Sequence, residues 1–422
     1  MVKKILGIAL TLALLVGPAA MADSLIFWNI GTQTPDKDIY EHILANYSQD
    51  PNAHFAIENV ATQNDTYKEK LIIAMSSGEC PDMYSNWSGG SMNEYIDAGF
   101  AQPLDDYIGA FKDKIMPAAL TQGSYNGKVY AIPYQNVSIS GVFYNTEMFE
   151  RFGLDVPTTV SELEDVCDVF VENGITPFAL ANASKWTGSM YFMSLATRYG
   201  GLAAFRAAVE GTGSFEDECF VYAGQKIQEW VGKGYFPEAV NSLNEDDGQA
   251  RILMYEGSAA MLLCGSWYTG TFMSDSPEFA KKISWFSFPR VDGRDSIDAS
   301  IQIGTIGDQF ISFNCTGERL ESAITYMSHA FDEDVIQHIV DTGKIPPLVN
   351  AADLVTDPVV KIIMDAALNA SSVQLWYDQY LPSAVAEIHK NTCYEIFGLT
   401  MTPEQANAEL QSAMQAYIAS KS

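Results

Sequence analysis

The stretch 127–165 constrains the possible folds of this chain more than any other part of the sequence. Two strand-like runs, residues 129–132 and 137–144, are rich in β-branched and aromatic side chains. Pro133 ends the first run because it has no N–H to donate to a sheet, and only a short polar gap follows. Two strands separated in this way predict that the chain leaves one sheet at about residue 135 and enters another.

Short helices with recognisable ends follow the second run. Asn145 ends the strand, a helical pattern follows, and Gly153 can adopt the left-handed conformation that terminates a helix. Thr158 or Thr159 can cap a further helix that begins near Ser161. The order of strand, helix, cap and helix predicts that a second α/β lobe begins here.

The start of the mature chain alternates between strands and helices. Residues 24–29 and 55–60 have strand patterns, and residues 37–47 and 65–76 have helical patterns. Strands separated by helices pair in parallel, and open sheets of this kind bind ligands at the carboxyl ends of their strands. The loops that follow the strands are therefore the expected location of a binding site.

Residues 1–22 have the features of a signal peptide. Lys3 and Lys4 precede the apolar run 5–16, and Ala20-Met21-Ala22 forms an A-x-A cleavage site. The apolar run is shorter than the ~20 residues that span a bilayer. The first cysteine, Cys80, is far from the cleavage site, so we expect no lipid attachment. The sequence predicts a soluble protein exported to the periplasm.

The net charge restricts the binding partners of this chain, and the cysteine spacing bears on its disulfide bonds. The formal net charge is −29, which disfavours nucleic acid and anionic lipid as partners. The six cysteines are widely spaced without any C-x-x-C pair and allow about 15 disulfide pairings, so disulfides and buried free thiols remain equal alternatives. No metal and no cofactor are expected, and the protein is expected to be a monomer.

Five segments of the sequence resemble motifs that occur together in one protein family. They read GKVYAIP at 127–133, FYNTEMFERFG at 143–153, GECPD at 78–82, GSAAMLLCGSW at 257–267 and GKIP at 343–346. Together they resemble extracellular solute-binding proteins of ATP-driven importers, in the carbohydrate-binding branch that includes maltose-binding protein. The resemblance covers nearly the whole mature chain. It implies a two-lobed α/β periplasmic-binding-protein fold, type II-like, with a ligand cleft between the lobes and a hinge of three chain crossings.

The same resemblance implies a function and a division into lobes. The protein would capture a sugar or oligosaccharide by lobe closure and deliver it to the permease subunits of an ABC transporter. The second crossing is expected at residues 283–289 and the third between residue 334 and residues 343–347. The N-terminal lobe would then comprise residues 23–135 and 286–333, and the C-terminal lobe residues 136–285 and 334–422.

A sugar site needs aromatic platforms for the apolar ring face and amide or carboxylate partners for the hydroxyls. Trp267 is the strongest candidate, because it follows the strand-like run 259–264 through Gly265 and Ser266, although core packing is the alternative for every tryptophan. The complete set of candidate ligand-binding residues comprises Gln33, Gln63, Asn64, Asn86, Trp87, Gln135, Asn136, Trp186, Trp267, Asp308, Trp376 and Asp378.

Two other functions remain as alternatives. A secreted glycoside hydrolase would also combine aromatic residues with carboxylates, but the sequence has no G-x-S-x-G or H-E-x-x-H motif and its five histidines do not cluster. A polyamine-binding protein of the same fold would use Asp308 and Asp378 as ammonium partners. We therefore expect a binding protein and not an enzyme.

Overall fold

The computed structural model describes residues 24–421, so the predicted signal peptide lies outside the described residues. Within that range the strands are β1 (Ser24–Asn29), β2 (Ala56–Ala61), β3 (Met83–Asn86), β4 (Ser124–Tyr125), β5 (Lys128–Val129), β6 (Ala131–Tyr134), β7 (Ser138–Asn145), β8 (Thr176–Phe178), β9 (Ala259–Gly265), β10 (Ile283–Phe286), β11 (Gln302–Thr305), β12 (Gln309–Phe313) and β13 (Val373–Gln374). The α-helices are α1 (Asp36–Tyr47), α2 (Asn64–Ser77), α3 (Gly90–Asp97), α4 (Pro117–Gln122), α5 (Thr146–Phe152), α6 (Val160–Glu172), α7 (Trp186–Glu210), α8 (Glu218–Gly232), α9 (Gln249–Tyr255), α10 (Tyr268–Asp275), α11 (Pro277–Ala280), α12 (Glu318–Ser328), α13 (Glu333–Asp341), α14 (Ala351–Leu354), α15 (Pro358–Leu368), α16 (Tyr377–Tyr380), α17 (Ser383–Phe397) and α18 (Pro403–Lys421).

The first lobe is built on a sheet with the strand order β2-β1-β3-β12-β6. β1 pairs in parallel with β2 and β3, as the alternation of strands and helices predicted, whereas β12 runs antiparallel to β3 and β6. Leu25 and Phe27 point from β1 into the core and are fully buried. Because the three parallel strands end at one edge, the loops after them lie together.

The second lobe is built around β7. The strand order is β13-β11-β7-β9-β8, and β10 also pairs with β7. β7 runs antiparallel to β9, β10 and β11, whereas β8 and β9 are parallel. Every residue of β9 is buried, so this strand lies deep in the lobe, and Trp267 follows it by two residues.

The residues at the ends of α5 and α6 cap and terminate these helices, as the sequence predicts. The side chain of Asn145 accepts a hydrogen bond from the backbone N–H of Met148 at 3.2 Å and caps α5. Gly153 ends that helix with φ 65°, a conformation that glycine adopts without strain. Thr159, and not Thr158, caps α6 and forms a capping box with Glu162.

The prediction that Pro133 ends its strand was wrong, because the strand extends two residues beyond residue 132. β6 continues through Pro133 to Tyr134, and Pro133 stands opposite Phe310 of β12. β6 is the edge strand of the first sheet. An edge strand tolerates proline because it donates hydrogen bonds on one side only.

The first crossing comprises residues 135–137, between β6 and β7. It is held to a later part of the chain by hydrogen bonds. The backbone N–H of Val137 donates to the carbonyl of Ile345 at 2.6 Å, and the N–H of Ile345 donates to Asn136 Oδ1 at 2.8 Å. These bonds tie two segments of the hinge together.

The second crossing lies later than predicted. Residues 283–286 form β10, which pairs with β7 in the second lobe, and β11 also pairs with β7. The chain returns to the first sheet only between β11 and β12, at residues 306–308. An apolar strand pattern does not specify which sheet the strand joins, so the boundary at residue 286 needs this correction.

The third crossing also lies later than predicted. α13 packs against α1 of the first lobe, and Asp334 accepts hydrogen bonds from His42 and Asn46. The backbone N–H of Val349 still bonds to the carbonyl of Lys114 in the first lobe. α15 then packs against β10 of the second lobe. The predicted boundary at residue 334 is therefore too early, and the chain crosses between residues 349 and 358.

All six cysteines lie within the described residues and are free thiols, five of them buried and Cys80 partly exposed. The alternative with free thiols is therefore the correct one. None of the helices within residues 24–421 combines the length and the apolar character that crossing a membrane requires.

Candidate functional site

A cleft between the two lobes collects side chains that follow strands of both sheets. The first lobe contributes the segment after β1, the first turns of α2, and Trp87 after β3. The second lobe contributes Trp186 at the start of α7 and Trp267 after β9. The cavity volume is about 250 Å³, close to the lower end of the roughly 300–1,000 Å³ that small-molecule pockets occupy. The cleft therefore suits a small ligand.

The structure brings most of the predicted ligand-binding residues together at this cleft. They come from both lobes and from segments that are far apart in the sequence. The predicted residues that line the cleft are Gln33, Gln63, Asn64, Trp87, Trp186, Trp267, Asp308, Trp376 and Asp378.

Three predicted residues do not line the cleft, because their side chains bond to other parts of the protein. Asn86 Nδ2 donates to Ser312 Oγ at 2.7 Å across the first sheet. Gln135 accepts a hydrogen bond from Lys344 Nζ at 3.2 Å. Asn136 accepts a hydrogen bond from the backbone N–H of Ile345, in the segment that precedes the third crossing. For these three, the prediction of ligand contact is corrected to a structural role in the sheet and the hinge.

The aromatic side chains of the cleft form two groups on opposite lobes. In the second lobe, the rings of Trp186 and Trp267 lie 6.0 Å apart at 57°, and those of Trp267 and Trp376 lie 5.9 Å apart at 64°. Trp376 is only 3% exposed and packs edge-on against the Trp267 ring. In the first lobe, Trp87 packs edge-on against Tyr67 at 6.0 Å. A flat ligand between the lobes would meet indole rings from both sides.

Gly265 allows Trp267 to take its position. A Cβ atom at residue 265 would lie 1.9 Å from the Trp267 ring, so any side chain there would displace the indole. The turn Gly265-Ser266 therefore both ends β9 and provides the surface on which this ring rests. Ser266 is buried, and its hydroxyl donates to the carbonyl of Val137 at 2.8 Å, which anchors the turn to the first crossing.

Several carboxylates line the cleft in different electrostatic environments. Asp36 is paired with Lys344, and Asp275 accepts from Arg251 Nε at 2.7 Å. Burial raises the pKa of Glu245 to about 7, although the donated Tyr268 hydroxyl opposes the shift. Glu245 is therefore a carboxyl group that can remain protonated near neutral pH.

Asp308 also lies in a buried setting. Burial raises the pKa of Asp308 to about 6, while the nearby Lys344 ammonium lowers it. Asp308 sits at the second crossing, so its carboxyl group stands at the floor of the cleft beside the hinge. Such a group can accept a hydroxyl hydrogen when ionised and donate its own proton when neutral.

Two buried polar atoms of cleft residues have no hydrogen-bond partner among residues 24–421. They are the indole Nε1 of Trp186, which is a donor, and the amide Oε1 of Gln379, which is an acceptor. A buried polar group without a partner costs about 1–3 kcal/mol. A ligand that carries hydroxyl groups can satisfy both atoms at once.

The lobes also touch at the side of the cleft. The carboxylate of Asp246 accepts a hydrogen bond from the backbone N–H of Asp65 at 3.1 Å, in the first turn of α2. Gln63 Nε2 lies 3.4 Å from the carbonyl oxygen of Asp246. An acidic side chain at a helix N-terminus is favourable, so this contact stabilises the arrangement of lobes seen here.

Sequence reasoning missed several charged and polar residues of the cleft. Lys344 belongs to the GKIP motif but was assigned only to a crossing, and residues 244–248 form an acidic loop that was not considered for the site. Arg251 and Lys68 lie on the helices α9 and α2, where a charged side chain exposed to solvent is the usual reason for such residues. The missed residues with charged side chains are Asp36, Lys68, Glu245, Asp246, Arg251, Asp275 and Lys344.

Two other groupings of side chains are relevant to metal binding or catalysis. Among residues 24–421, no group of three or more His, Cys, Asp or Glu side chains is placed to hold a metal ion. Ser189 Oγ lies 2.7 Å from His389 Nε2, but His389 is fully buried and burial lowers its pKa to about 3. Neither residue lines the cleft, so this pair is part of the packed core.

Comparison with known proteins identifies the family. A family model described as a bacterial extracellular solute-binding protein matches residues 31–337. The chain belongs to this family. The match confirms the resemblance drawn from the motifs, and it covers the first two crossings and most of the cleft described above.

Individual relatives of this solute-binding protein are more distant. An uncharacterised ABC transporter extracellular-binding protein of Pyrococcus horikoshii is 30% identical over 207 residues, 47% of this chain and 45% of that protein. A xylose/arabinose-binding protein of Haloferax volcanii is 24% identical over 238 residues, 55% of this chain and 51% of that protein. The chain thus spans about half the length of these two curated relatives.

A solved structure extends the likeness over nearly the whole solute-binding protein. It comes from a study of xylan utilization by Caldanaerobius polysaccharolyticus, with a TM-score of 0.83 and 30% sequence identity. The likeness covers 92% of this chain and 99% of that one. The two-lobed α/β fold predicted from the sequence is therefore confirmed.

Proposed function

We propose that this protein is the exported substrate-binding component of an ABC importer and that it captures a sugar or short oligosaccharide. The observation that carries the proposal is that both lobes contribute indole rings to the lining of the cleft, Trp87 from one lobe and Trp186 with Trp267 from the other. Indole rings bind the apolar face of a sugar, and the surrounding amides and carboxylates bind its hydroxyls. The protein would bind in the periplasm as a monomer and release the ligand to permease subunits.

The relatives support a choice of test ligands. One is named for xylose and arabinose, and one structure comes from a study of xylan utilization. Pentose-containing saccharides are therefore the first candidates for this chain as well. The cavity, at about 250 Å³, favours a ligand of few rings over a long chain.

Binding without chemistry is the second part of the proposal. The carboxyl groups of the cleft include Glu245, whose raised pKa is also what a general acid would need. A glycoside hydrolase needs that acid together with a second carboxylate placed about 5–9.5 Å away across the scissile bond. We infer that these groups instead hold hydroxyls, because the family is one of binding proteins.

A thermal-shift screen with purified protein tests the proposal. Xylobiose, xylotriose, arabinose, raffinose and chitobiose form the saccharide panel, with spermidine and putrescine as cationic competitors. A ligand that binds only the folded state raises the melting temperature. We expect at least one saccharide to stabilise the protein and to be recovered unchanged by chromatography after prolonged incubation. Cleavage of the saccharide would favour the hydrolase, and a shift with polyamines alone would favour the polyamine binder.

A further inference from the structure

The cation of Lys68 stands out among the charged groups of the cleft. Lys344 and Arg251 are each paired with a carboxylate, Asp36 and Asp275 respectively. Lys68, in contrast, forms no ion pair with any residue that the structure describes. Its ammonium lies 4.6 Å from the centre of the Trp87 ring and faces the cleft from α2. Because this ammonium has no ion-pair partner among residues 24–421, it retains N–H donors for a ligand.

A carboxylate approaches the same space from the other lobe. Asp378 lies on α16, which packs against α7 and α17 of the second lobe, and it lines the cleft. Asp378 makes no hydrogen bond to residues 24–421, yet among the acids it has the largest electrostatic effect on Lys68. Burial lowers the pKa of Lys68, and the Asp378 charge acts against that shift. α16 lies against the loop that carries Trp87, because a Cβ atom on Gly89 would lie 2.3 Å from the carbonyl oxygen of Gln379, the residue after Asp378. Lys68 and Asp378 therefore line the same part of the cleft beside Trp87 without forming an ion pair.

We infer that Lys68 and Asp378 together bind one hydroxyl group of a neutral sugar that lies on Trp87, and so determine which ligands the cleft accepts. A hydroxyl oxygen accepts from an ammonium while its hydrogen is donated to a carboxylate. One such oxygen bridges donor and acceptor atoms roughly 5–6 Å apart. This inference rests on the proposed function, because it requires a saccharide in the cleft.

The pair also accounts for the choice among ligand classes. A carboxylate on the ligand, as in a uronic acid, is attracted by Lys68 but repelled by Asp378. An ammonium group, as in a polyamine, is attracted by Asp378 but repelled by Lys68. Only an uncharged group that both donates and accepts satisfies both side chains, and a sugar hydroxyl is such a group. Because the two residues belong to different lobes, the bridging hydroxyl also holds the lobes together.

A double-mutant cycle measured by titration calorimetry tests the inference. The variants are Lys68→Met, Asp378→Asn and the double variant, and Lys70→Met, an exposed lysine on the same helix, is the matched control. The probe is the tightest-binding saccharide of the panel xylobiose, xylotriose, raffinose and chitobiose. Each single change should weaken binding roughly ten- to a hundredfold, because hydrogen bonds to charged groups are the strong ones. The Lys70 variant should bind like the wild type.

The affinity of the double variant shows whether one hydroxyl contacts both Lys68 and Asp378. If one hydroxyl bridges both residues, the two changes should be coupled, because each bond holds the hydroxyl in place for the other, and the affinity loss of the double variant should be clearly smaller than the product of the two single losses. Losses that multiply would overturn the shared hydroxyl while leaving saccharide capture intact. Thermal melts of the ligand-free variants show whether each is folded, and Lys68→Gln replaces Lys68→Met if the latter is not.

Charged probes separate this inference from the proposed function. Spermidine and digalacturonate should each bind the wild type at least about tenfold more weakly than the neutral saccharide, since Lys68 repels an ammonium group at this position and Asp378 repels a carboxylate. Equal binding of digalacturonate would contradict the role of Asp378. If no saccharide of the panel binds and spermidine does, both the pair and the proposed function fail together.

Discussion

The Trp267 ring lines the cleft and is not fully buried in the core. Its indole rests on Gly265 and contacts Trp186 and Trp376, yet the residue is half-buried and one part of it faces the cleft. A core tryptophan has a different environment. Trp230 is fully buried in the second lobe, and its indole Nε1 donates to Glu164 at 2.7 Å.

This difference gives the first prediction. Trp267→Ala should weaken saccharide binding roughly ten- to a hundredfold, by analogy with stacking losses of about 1–3 kcal/mol. The free energy of unfolding without ligand should change far less. Trp230→Ala is the matched control and should cost about 3–5 kcal/mol of stability because it leaves a cavity. Calorimetry and urea denaturation on both variants measure the two quantities, and a large stability loss with normal affinity for Trp267→Ala would place that ring in the core.

Glu245 gives a prediction about pH. Its pKa is about 7 in the folded protein and 4.5 as the ordinary value, so the folded state keeps a proton that the unfolded state loses first. Its contribution to stability is therefore fully present below about pH 4.5 and is lost as the pH rises through 7. Glu245→Gln imitates the protonated form and should remove this loss.

Urea denaturation at pH 5 and pH 8 measures that effect. Relative to the wild type, Glu245→Gln should be more stable at pH 8 than at pH 5 by up to about 3 kcal/mol. The exposed Glu256, changed to Gln, serves as the control and should show no such difference. An equal stability difference at both pH values would mean that Glu245 is ionised throughout.

Single side chains also show what the sequence could not specify about the site. Trp87, Trp186 and Trp267 were predicted to lie in the cleft because each follows a strand end, and all three line it. Asn86 and Asn136 stood in similar loops, but their amides are used inside the protein. Whether an amide contacts the ligand or another part of the protein depends on chain segments more than a hundred residues away, as the bond from Asn86 to the Ser312 hydroxyl illustrates, and no local pattern contains that information.

At the scale of elements, α3 and α16 form a close contact between the lobes. A Cβ atom on Gly90, at the start of α3, would lie 2.1 Å from the carbonyl oxygen of Leu381, which directly follows α16. Nearby, Glu94 accepts a hydrogen bond from the hydroxyl of Ser383. Gly90 has no side chain, and its absence is what allows the two backbones to approach.

A methyl group on residue 90 should prevent α3 and the segment after α16 from approaching this closely. Gly90→Ala should force the lobes apart and weaken saccharide binding about ten- to a hundredfold, as overpacking costs of about 1–3 kcal/mol imply. Gly90 does not line the cleft, so direct loss of a ligand contact is not involved. Gly109→Ala is the control, because a Cβ there meets no atom within 4 Å. Unchanged affinity of Gly90→Ala, measured by calorimetry, would show that this contact plays no part in closure.

The bounds of individual elements were more predictable than their partners. α5 and α6 begin and end at residues with specific caps, and those signals lie within a few residues of the helix itself. β10 was recognised as a strand, but its pairing with β7 depends on residues about 140 positions earlier. The same limit explains α13, which was assigned to the wrong lobe because its partner, α1, is close in space and distant in sequence.

For the whole molecule, the three crossings define the only covalent links between the lobes within residues 24–421, at residues 135–137, 306–308 and 349–358. The first is bonded to the segment that precedes the third, through Val137 and Ile345. All other contacts between the lobes, such as that of Asp246 with α2, involve surfaces that can separate without breaking either sheet. The lobes can therefore rotate as rigid bodies about the hinge.

Small-angle scattering tests this rotation. The arrangement described here, with Asp65 and Gly90 in contact with the second lobe, should match the protein saturated with saccharide. Without ligand, the buried polar atoms of Trp186 and Gln379 have no partner, so opening the cleft to water is favoured. We expect the radius of gyration to be larger without ligand and to fall to the value calculated from this structure on saturation. Gly90→Ala with saturating ligand should retain the larger value, and identical profiles for the free and saturated wild type, with binding established by calorimetry, would exclude hinge closure.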